Sequence, residues 1–472
     1  MSTPALTPFP AIVIGGGISG LACSFHLQQA GIPVRLLEAD ERPGGVIATE
    51  ELDGFRFELG PQSFLSTEPL LKLIDALSLK NELLHADPRA PRYILFRGKL
   101  VPAPLAPPSL LATPLLGAGT KYRLVTEMFR RTVPPPNDES IAAFVRRKFG
   151  DELLDRLVAP FVSGVYAGDP EKLSLRASFP KLHEFEMKYG SVLRGAMKSR
   201  PAKGAPRPGL CSFREGMETL PRALAARLGD ALLTETSVTA ARHGKANGNS
   251  SFEVDVTRGS HRETLLASAL IMAAPLNAAS EILKEVSDKF AAPFARIQYA
   301  PIAVVAAAYR RDQMRHPANG FGFLVPRSER RRVLGTVWNS SLFPGRAPED
   351  MTSFTSFAGG ATDPELFSKS DDEIAEIICG EVGQILGITG PPVTYLVNRY
   401  VRALPQYNLG HTDTVLELSA AASVIPGLFL AGNYLSGPSI GSCVEQANQT
   451  AEAVRVYLAS IGVAGVGATA HA

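Results

Sequence analysis

The run from Ala11 to Glu38 constrains this chain more than any other part of it. Ala11 to Ile14 is a short apolar stretch with β character, and Gly15-Gly16-Gly17-Ile18-Ser19-Gly20 follows at once. Leu21 to Ala30 has helical spacing, with Leu21, Phe25 and Leu27 on or near one face. Gly31 ends that helix, Val34 to Leu37 is a second apolar strand, and Glu38 closes it. A lone G-x-G-x-x-G is weak, but strand, glycines, helix, strand and acid in this order make the first unit of a dinucleotide-binding fold. Gly15 permits the tight turn, Gly17 lets a pyrophosphate approach the backbone, and Gly20 allows helix and strand to pack closely. The helix N-terminus offers unpaired N–H groups and partial positive charge to phosphate. Glu38 is placed to accept hydrogen bonds from ribose hydroxyls. It also disfavours a 2′-phosphate, so NADP is a poor ligand here.

Composition removes several alternatives. Hydrophobic residues are 45% and charged residues 20%, which excludes a long disordered chain. The 48 Lys plus Arg and 46 Asp plus Glu leave a net charge of +2, so no general field attracts nucleic acid. At about 150 residues per domain, 472 residues suggest about three domains. The 4 cysteines, Cys23, Cys211, Cys379 and Cys443, are far apart, and the 8 histidines show no ligand spacing. Neither a disulfide framework nor a metal site is expected. Met1 to Pro10 lacks the basic start and apolar core of a signal peptide, so a cytoplasmic chain is expected.

The residues after Glu38 choose the dinucleotide. Glu-Ala-Asp-Glu-Arg-Pro-Gly-Gly carries Arg42, Gly44 and Gly45, and Gly54-Phe55-Arg56-Phe57-Glu58-Leu59-Gly60-Pro61 follows. This pattern resembles the flavoprotein oxidase and desaturase superfamily that includes monoamine oxidase, in which the extension marks FAD. The resemblance implies that Arg42 and the Gly44-Gly45 turn lie along the FAD diphosphate and that Gly60-Pro61 lies near the flavin ring. Ile18, Ser19, Ala39, Val46, Gln62 and Ser63 adjoin these positions and count with the cofactor contacts. The alternative for Arg42 is a solvated loop arginine.

Along the rest of the chain, Leu70 to Leu79 predicts a short helix, and Arg89 to Arg97 is basic with a β-like core. Leu100 to Thr120 carries no charge, and as a helix of ~30 Å it could span a bilayer. It holds Pro102, Pro104, Pro107, Pro108 and Pro114, and each interior proline costs a helix ~3 kcal/mol, so a transmembrane helix is rejected. An apolar surface with a basic rim resting on a membrane and a buried loop in a helical subdomain both remain open. Ile141 to Ala159 predicts one amphipathic helix, Lys198 to Pro208 a mobile solvated loop, and Gly216 to Leu228 another helix. Strands are expected from Ser237, over Phe252 to Val256 and over Leu270 to Ala274, as a return to the nucleotide domain. Ala300 to Gly360 has the pattern of several strands, Asp371 to Leu386 of a helix, and Val424 to Gly432 of a strand entering the Gly437 to Ser442 loop. Val444 to Leu458 predicts the last helix.

Three stretches narrow the resemblance: Pro160 to Pro170 with Leu173-Ser174, Gly320 to Pro326, and Leu404 to His411. They resemble the protoporphyrinogen oxidase family, over about residues 10 to 455. The resemblance implies a mixed α/β (α+β) fold of three parts. These are a discontinuous FAD-binding Rossmann-like domain (1–85, 208–275, 395–472), a substrate domain (86–98, 276–394) and a helical membrane-facing domain (99–207). It implies FAD as cofactor, a porphyrinogen as substrate and O2 as acceptor, with no side chain acting as catalytic base. Arg92 matches an arginine that meets a substrate propionate. Leu324, Val337 and Phe357 match the ring-binding slot, and Gly164 a glycine whose backbone faces the substrate. Val238 matches a residue whose backbone meets adenine, while Pro438, Ser439 and Ile440 match a loop near the flavin. Trp338 adjoins the slot or belongs to the core. Cys443 is either a covalent flavin attachment point or an ordinary buried cysteine. A homodimer, peripheral membrane contact from the cytoplasm and hand-off to a ferrochelatase are further expectations. The rivals are a coproporphyrinogen III oxidase of the same family, with Lys181, His183 and Lys188 as extra cations, a carotenoid desaturase, and a non-enzymatic binder on the same fold.

Overall fold

The computed structural model describes residues 9–130, 133–199, 209–246 and 249–462. Five short parallel strands make the first sheet, in the order Leu232–Leu233, Val34–Leu37, Ala11–Ile14, Ala269–Met272 and Leu428–Leu430. Ala11–Ile14 and Ala269–Met272 are buried along their whole length. A parallel sheet covered on both faces needs such unbroken apolar runs. Helices Ile18–Gln29, Thr219–Leu228 and Ile440–Ser460 contribute to the core on one face. The antiparallel sheet Thr236–Ala246, Asn249–Arg258 and His261–Ala267, with helices Leu276–Ile282 and His411–Ser423, covers the other.

The second large sheet has seven strands, in the order Thr394–Pro405, Tyr299–Arg310, Met351–Gly359, Val333–Val337, Gly322–Leu324, Arg92–Phe96 and Lys99–Pro102. One face packs on helix Asp371–Leu386 through Tyr309, Trp338, Phe354, Ile374 and Ile378. That helix starts with a reciprocal cap: the Ser370 hydroxyl accepts from Glu373 N, and the Glu373 carboxylate accepts from Ser370 N. The third part is a helical layer between residues 107 and 198, around Leu115, Phe144, Val162 and Tyr166.

Three expectations change. Thr394–Pro405 pairs with Tyr299–Arg310, so residues from 395 to 405 sit in the seven-stranded sheet rather than with the five-stranded one. Lys99–Pro102 pairs with Arg92–Phe96, so that sheet also runs past residue 98. Leu276, Ile282 and Phe294 pack with Ile12, Leu37 and Met272, which carries the nucleotide core beyond 275. Pairing partners distant in sequence decide these boundaries, and composition does not report them. Ile141 to Ala159 is not one helix. Ile141–Lys148 ends before Gly150, whose φ is +95°, and a widened turn over Leu154–Val158 leads into Ala159–Tyr166. Pro160 has no N–H for the Arg156 carbonyl four residues back, and the widened turn lies there.

Leu100 to Thr120 divides between the Lys99–Pro102 strand, a helix Pro107–Ala112 and the start of Ala118–Thr126. Among the described residues no helix is long and apolar enough to cross a membrane. Lys198 closes the helix Val192–Lys198, and residues 200–208 of the expected loop lie outside the described residues. The helical layer is locked by buried charge. Lys148 Nζ lies 2.8 Å from Glu186 and 3.5 Å from Glu127, and the Glu127 carboxylate accepts from Ser191 Oγ and the N–H groups of Val192 and Leu193.

Candidate cofactor and substrate site

The glycine fingerprint separates into structural and open positions. A Cβ on Gly15 would lie 2.8 Å from the Ala273 carbonyl, and one on Gly20 would lie 1.9 Å from the Gly15 oxygen. Both glycines are required by packing. A Cβ on Gly17 would meet nothing within 4 Å. Gly17 is the N-cap of Ile18–Gln29, with φ −67° and ψ 175°, no side-chain cap and no acid in the first turn. The first N–H groups of that helix are therefore free of carboxylate and point to a place where the backbone is bare, as an anion requires. The Gly44-Gly45 turn lies against the same place: Gly44 N donates to Gly16 O at 2.8 Å, and a Cβ on Gly45 would be 3.5 Å from Gly17 Cα. The Glu38 carboxylate accepts from Gly16 N at 2.5 Å and from Asp40 N at 2.9 Å, which fixes it at the strand end with lone pairs to spare. Ala39 beside it is exposed.

Arg42 is a staple inside this turn. Its guanidinium donates to Ile47 O at 2.9 Å and Gly45 O at 2.7 Å. Val238 lies on the strand that leaves Glu38, where Thr236 N donates to Glu38 O at 2.8 Å, and the ladder is interrupted between Val238 and Ala240. Glycines, acid and turn thus meet at the carboxyl ends of the parallel strands, and the strand that carries Val238 leaves from beside them. Their donor and acceptor set fits an adenosine diphosphate.

The residues expected at the flavin are Val46, Gly60-Pro61-Gln62-Ser63 and the loop before the last helix. A Cβ on Gly60 would lie 1.9 Å from Val46 O, so only glycine lets the two segments touch. Gln62 turns its side chain inward: Nε2 donates to the Glu58 and Gly60 carbonyls, and Oε1 accepts from Asn339 at 2.5 Å. Its amide is thus engaged in joining the two halves of the molecule. Ser439 caps the last helix through Ser442 N at 3.1 Å, and Ile440 is buried in the helix packing. Pro438 is half-buried beside them. The Cys443 thiol is pushed up to about 11 by burial, with a hydrogen bond from Ser19 opposing. That contact sets the start of the last helix beside the fingerprint helix, and the protonated thiol fits an ordinary buried cysteine.

The sheet register gathers the expected substrate residues. Leu324 pairs with Gly335 and Ile94, and Gly335 pairs with Phe357. One step along, Val337 pairs with Gly322, and Gly322 with Arg92. Positions two apart on a strand share a face, so Arg92, Leu324, Val337 and Phe357 lie on one face of the sheet. Gly164, inside helix Ala159–Tyr166, crosses that face so closely that a Cβ would lie 2.7 Å from Leu324. Arg92 is exposed, sits 4.8 Å over the Phe321 ring and has no carboxylate partner among the described residues. Trp338 belongs to the opposite, buried face, with Tyr93 at 5.5 Å and Phe323 at 6.3 Å. A largely apolar ledge with one free guanidinium suits a flat molecule that carries a carboxylate.

The sequence pattern missed the rivet between the two halves. Arg346, fully buried, places Nη2 3.2 Å from Glu58 and donates to Ser212 Oγ at 2.8 Å and Phe213 O at 2.9 Å. Burial raises the Glu58 carboxyl, with the Arg346 charge pulling against it, and burial lowers the Arg346 guanidinium. Glu58 was visible in the Gly54–Pro61 stretch, but nothing in sequence links it to position 346.

Known proteins resemble this chain over most of its length. The flavin containing amine oxidoreductase family matches residues 18–455. The chloroplast protoporphyrinogen oxidase of Nicotiana tabacum is 34% identical over 95% of this chain and 85% of its own length. The coproporphyrinogen III oxidase of Bacillus subtilis (strain 168) is 29% identical over 95% of this chain and 98% of its own. A solved structure from Exiguobacterium sp. 255-15 superposes with a TM-score of 0.81 at 25% identity, covering 96% of this chain and 100% of that one.

Proposed function

The chain belongs to the flavin containing amine oxidoreductase family, with FAD as its cofactor, and we propose that it oxidises protoporphyrinogen IX to protoporphyrin IX with O2 as acceptor. The observation that carries the substrate assignment is the shared sheet face of Arg92, Leu324, Val337 and Phe357, crossed by Gly164. Bound FAD supplies two-electron oxidation, so removing six hydrogens from the macrocycle takes three turns and converts three O2 to three H2O2. The residues do the rest. Arg92 offers a forked donor to a propionate, worth ~1.5–3 kcal/mol for a charge-assisted bond. Leu324, Val337 and Phe357 offer an apolar floor for the pyrroles, and Gly164 keeps the helix backbone close to that floor. Gly15 to Gly20, Glu38 and the Gly44-Gly45 turn hold the adenosine diphosphate, with Arg42 keeping the turn in shape and the Val238 backbone at the adenine. Val46, Gly60 to Ser63 and Pro438 to Ile440 border the flavin end. The N-terminus of Ile440–Ser460 supports negative charge there.

The deciding experiment measures porphyrin fluorescence and oxygen uptake on purified protein with protoporphyrinogen IX and with coproporphyrinogen III. Faster turnover of the first supports the assignment. Preference for the second moves the chain to the activity named for the Bacillus subtilis relative. A colourless protein that turns over neither refutes both. Lys181, His183 and Lys188, the extra cations of that rival, lie on helix Pro180–Tyr189 of the helical layer rather than on the sheet face.

The helical layer is the proposed membrane contact, peripheral and from the cytoplasmic side. Tyr122 and Phe129 are 70% and 76% exposed, and Lys121, Arg123 and Arg130 adjoin them in the chain. Apolar groups with a basic rim suit an anionic bilayer surface. Co-sedimentation with anionic vesicles, lost in a Tyr122→Ser, Phe129→Ser variant, tests it. A homodimer and product transfer to a ferrochelatase belong to the same proposal. Sedimentation velocity and a coupled assay with that enzyme address them.

A further inference from the structure

We propose that Tyr407 and His411 are positioning residues that hold the backbone of the flavin-side loop and tie it to the helical layer. The inference rests on the reading above, in which the Pro438–Ile440 end of that loop borders the flavin. The path of the loop depends on glycine. Gly432 and Gly437 flank it with φ of +141° and +146°, values that side-chain-bearing residues rarely adopt. Between them, the Asn433 and Tyr434 carbonyls are not part of any strand or helix and need donors. Both donors come from one short segment. The Tyr407 hydroxyl donates to Asn433 O, and His411 Nε2 donates to Tyr434 O at 2.9 Å. A carbonyl can only accept, so His411 carries its proton on Nε2. The Tyr407 and His411 rings are stacked, with centroids 4.2 Å apart and planes 11° from parallel, so the two donors act as one plate.

The other side of the same segment is fastened to the helical layer. Tyr407 O accepts from Ser174 N at 2.8 Å, and Leu409 N donates to Lys172 O at 2.9 Å. Gln406 Nε2 donates to Tyr166 O at 2.9 Å. Asp138 bridges: one oxygen accepts from Ser174 Oγ at 2.8 Å, the other from Gly410 N at 3.0 Å. The segment 406–411 is thus bonded to the layer at residues 138, 166, 172 and 174, and its two rings to the loop at 433 and 434. Burial keeps His411 neutral, its pKa lowered to about 4, so the donor stays in place across the ordinary pH range. A shift of the helical layer would move this segment, and with it the Asn433–Tyr434 backbone of the loop whose Pro438–Ile440 end borders the flavin.

The test uses the purified FAD-loaded enzyme. Tyr407→Phe removes one hydroxyl and keeps the stack, His411→Leu removes the other donor, and His411→Gln restores an N–H donor. Ile378→Ala, on the far side of the seven-stranded sheet, serves as a destabilised control. FAD dissociation, the flavin absorption spectrum and reduction potential, kcat and KM are measured beside thermal melting. Expected are FAD affinity and kcat about tenfold lower in Tyr407→Phe and His411→Leu, with KM unchanged, an altered spectrum and potential, and partial recovery in His411→Gln. The control should melt earlier with flavin properties unchanged. If Tyr407→Phe matches wild type in all flavin readouts, or if the control moves them equally, the positioning role is wrong while the proposed function stands. If wild type itself binds no FAD, the proposed function fails and this inference falls with it.

Discussion

Gly17 and Gly20 stand three residues apart in one motif, and the structure predicts opposite consequences for the same substitution. In Gly17→Ala the backbone is already at φ −67°, and the new methyl meets no protein atom within 4 Å. Loss of unfolded-chain entropy stabilises by ~0.4–1 kcal/mol, while alanine is a poorer N-cap than glycine by a comparable amount. The apoprotein should therefore melt close to wild type. The methyl does occupy the space above the free N–H groups. Displacing a pyrophosphate from one charge-assisted bond costs ~1.5–3 kcal/mol, a loss of roughly 10- to 150-fold in FAD affinity. In Gly20→Ala the methyl would sit 1.9 Å from the Gly15 carbonyl oxygen, a backbone atom in the tight turn. Helix and strand must move apart, at a cost of ~1–3 kcal/mol or more, even without cofactor. The assay pairs thermal unfolding of both apoproteins with FAD titration by fluorescence quenching. Gly17→Ala retaining FAD affinity within about threefold, or melting as early as Gly20→Ala, would refute the division of the motif into a binding and a packing glycine.

Three further outcomes are expected. Arg92→Ala should raise KM for the porphyrinogen by about 10- to 150-fold with little change in melting, because the side chain is exposed and unpaired; an unchanged KM would remove Arg92 from the site. Arg346→Leu strands Glu58 as a buried carboxylate and should cost ~3–5 kcal/mol in urea unfolding, with part recovered by adding Glu58→Gln; a wild-type midpoint would show that the pair does not join the halves. His411 is lowered from 6.5 to about 4 by burial, so the unfolded chain takes up its proton first as pH falls. Its contribution is complete above the unfolded value and is lost between about pH 6.5 and 4, by up to roughly 3 kcal/mol. His411→Gln should flatten that part of the stability profile relative to wild type; parallel profiles would contradict it.

Much of the fold was legible because its signals are local. The helix Asp371–Leu386 was expected from its pattern, and its observed bounds are the expected ones. The glycine fingerprint, Glu38 and the Gly44-Gly45 turn lie within one short stretch, and they are in contact in the fold. Where the pattern misled, either a glycine or proline inside the run or a pairing partner far away in the chain had won. Ile141 to Ala159 has one apolar face yet is broken at Gly150 and widened before Pro160. The strand from Thr394 reads like any other but is claimed by Tyr299–Arg310. Gln62 and Arg42 were expected at the cofactor, and their side chains are engaged in holding the protein around it.

By itself the amino-acid order determined the dinucleotide unit, the type of most elements and the family whose motifs it carries, since turn chemistry, capping and periodicity act over a few residues. Family resemblance grouped the expected substrate residues, but only tertiary structure gives the register and packing that place residues on one surface. The common face of Arg92, Leu324, Val337 and Phe357, the Glu58–Arg346 pair and the Tyr407–His411 plate all depend on strand register and packing between segments far apart in the chain. Such contacts arise when separated apolar runs are buried together and their backbone groups must be paired, a condition that no local stretch of sequence records.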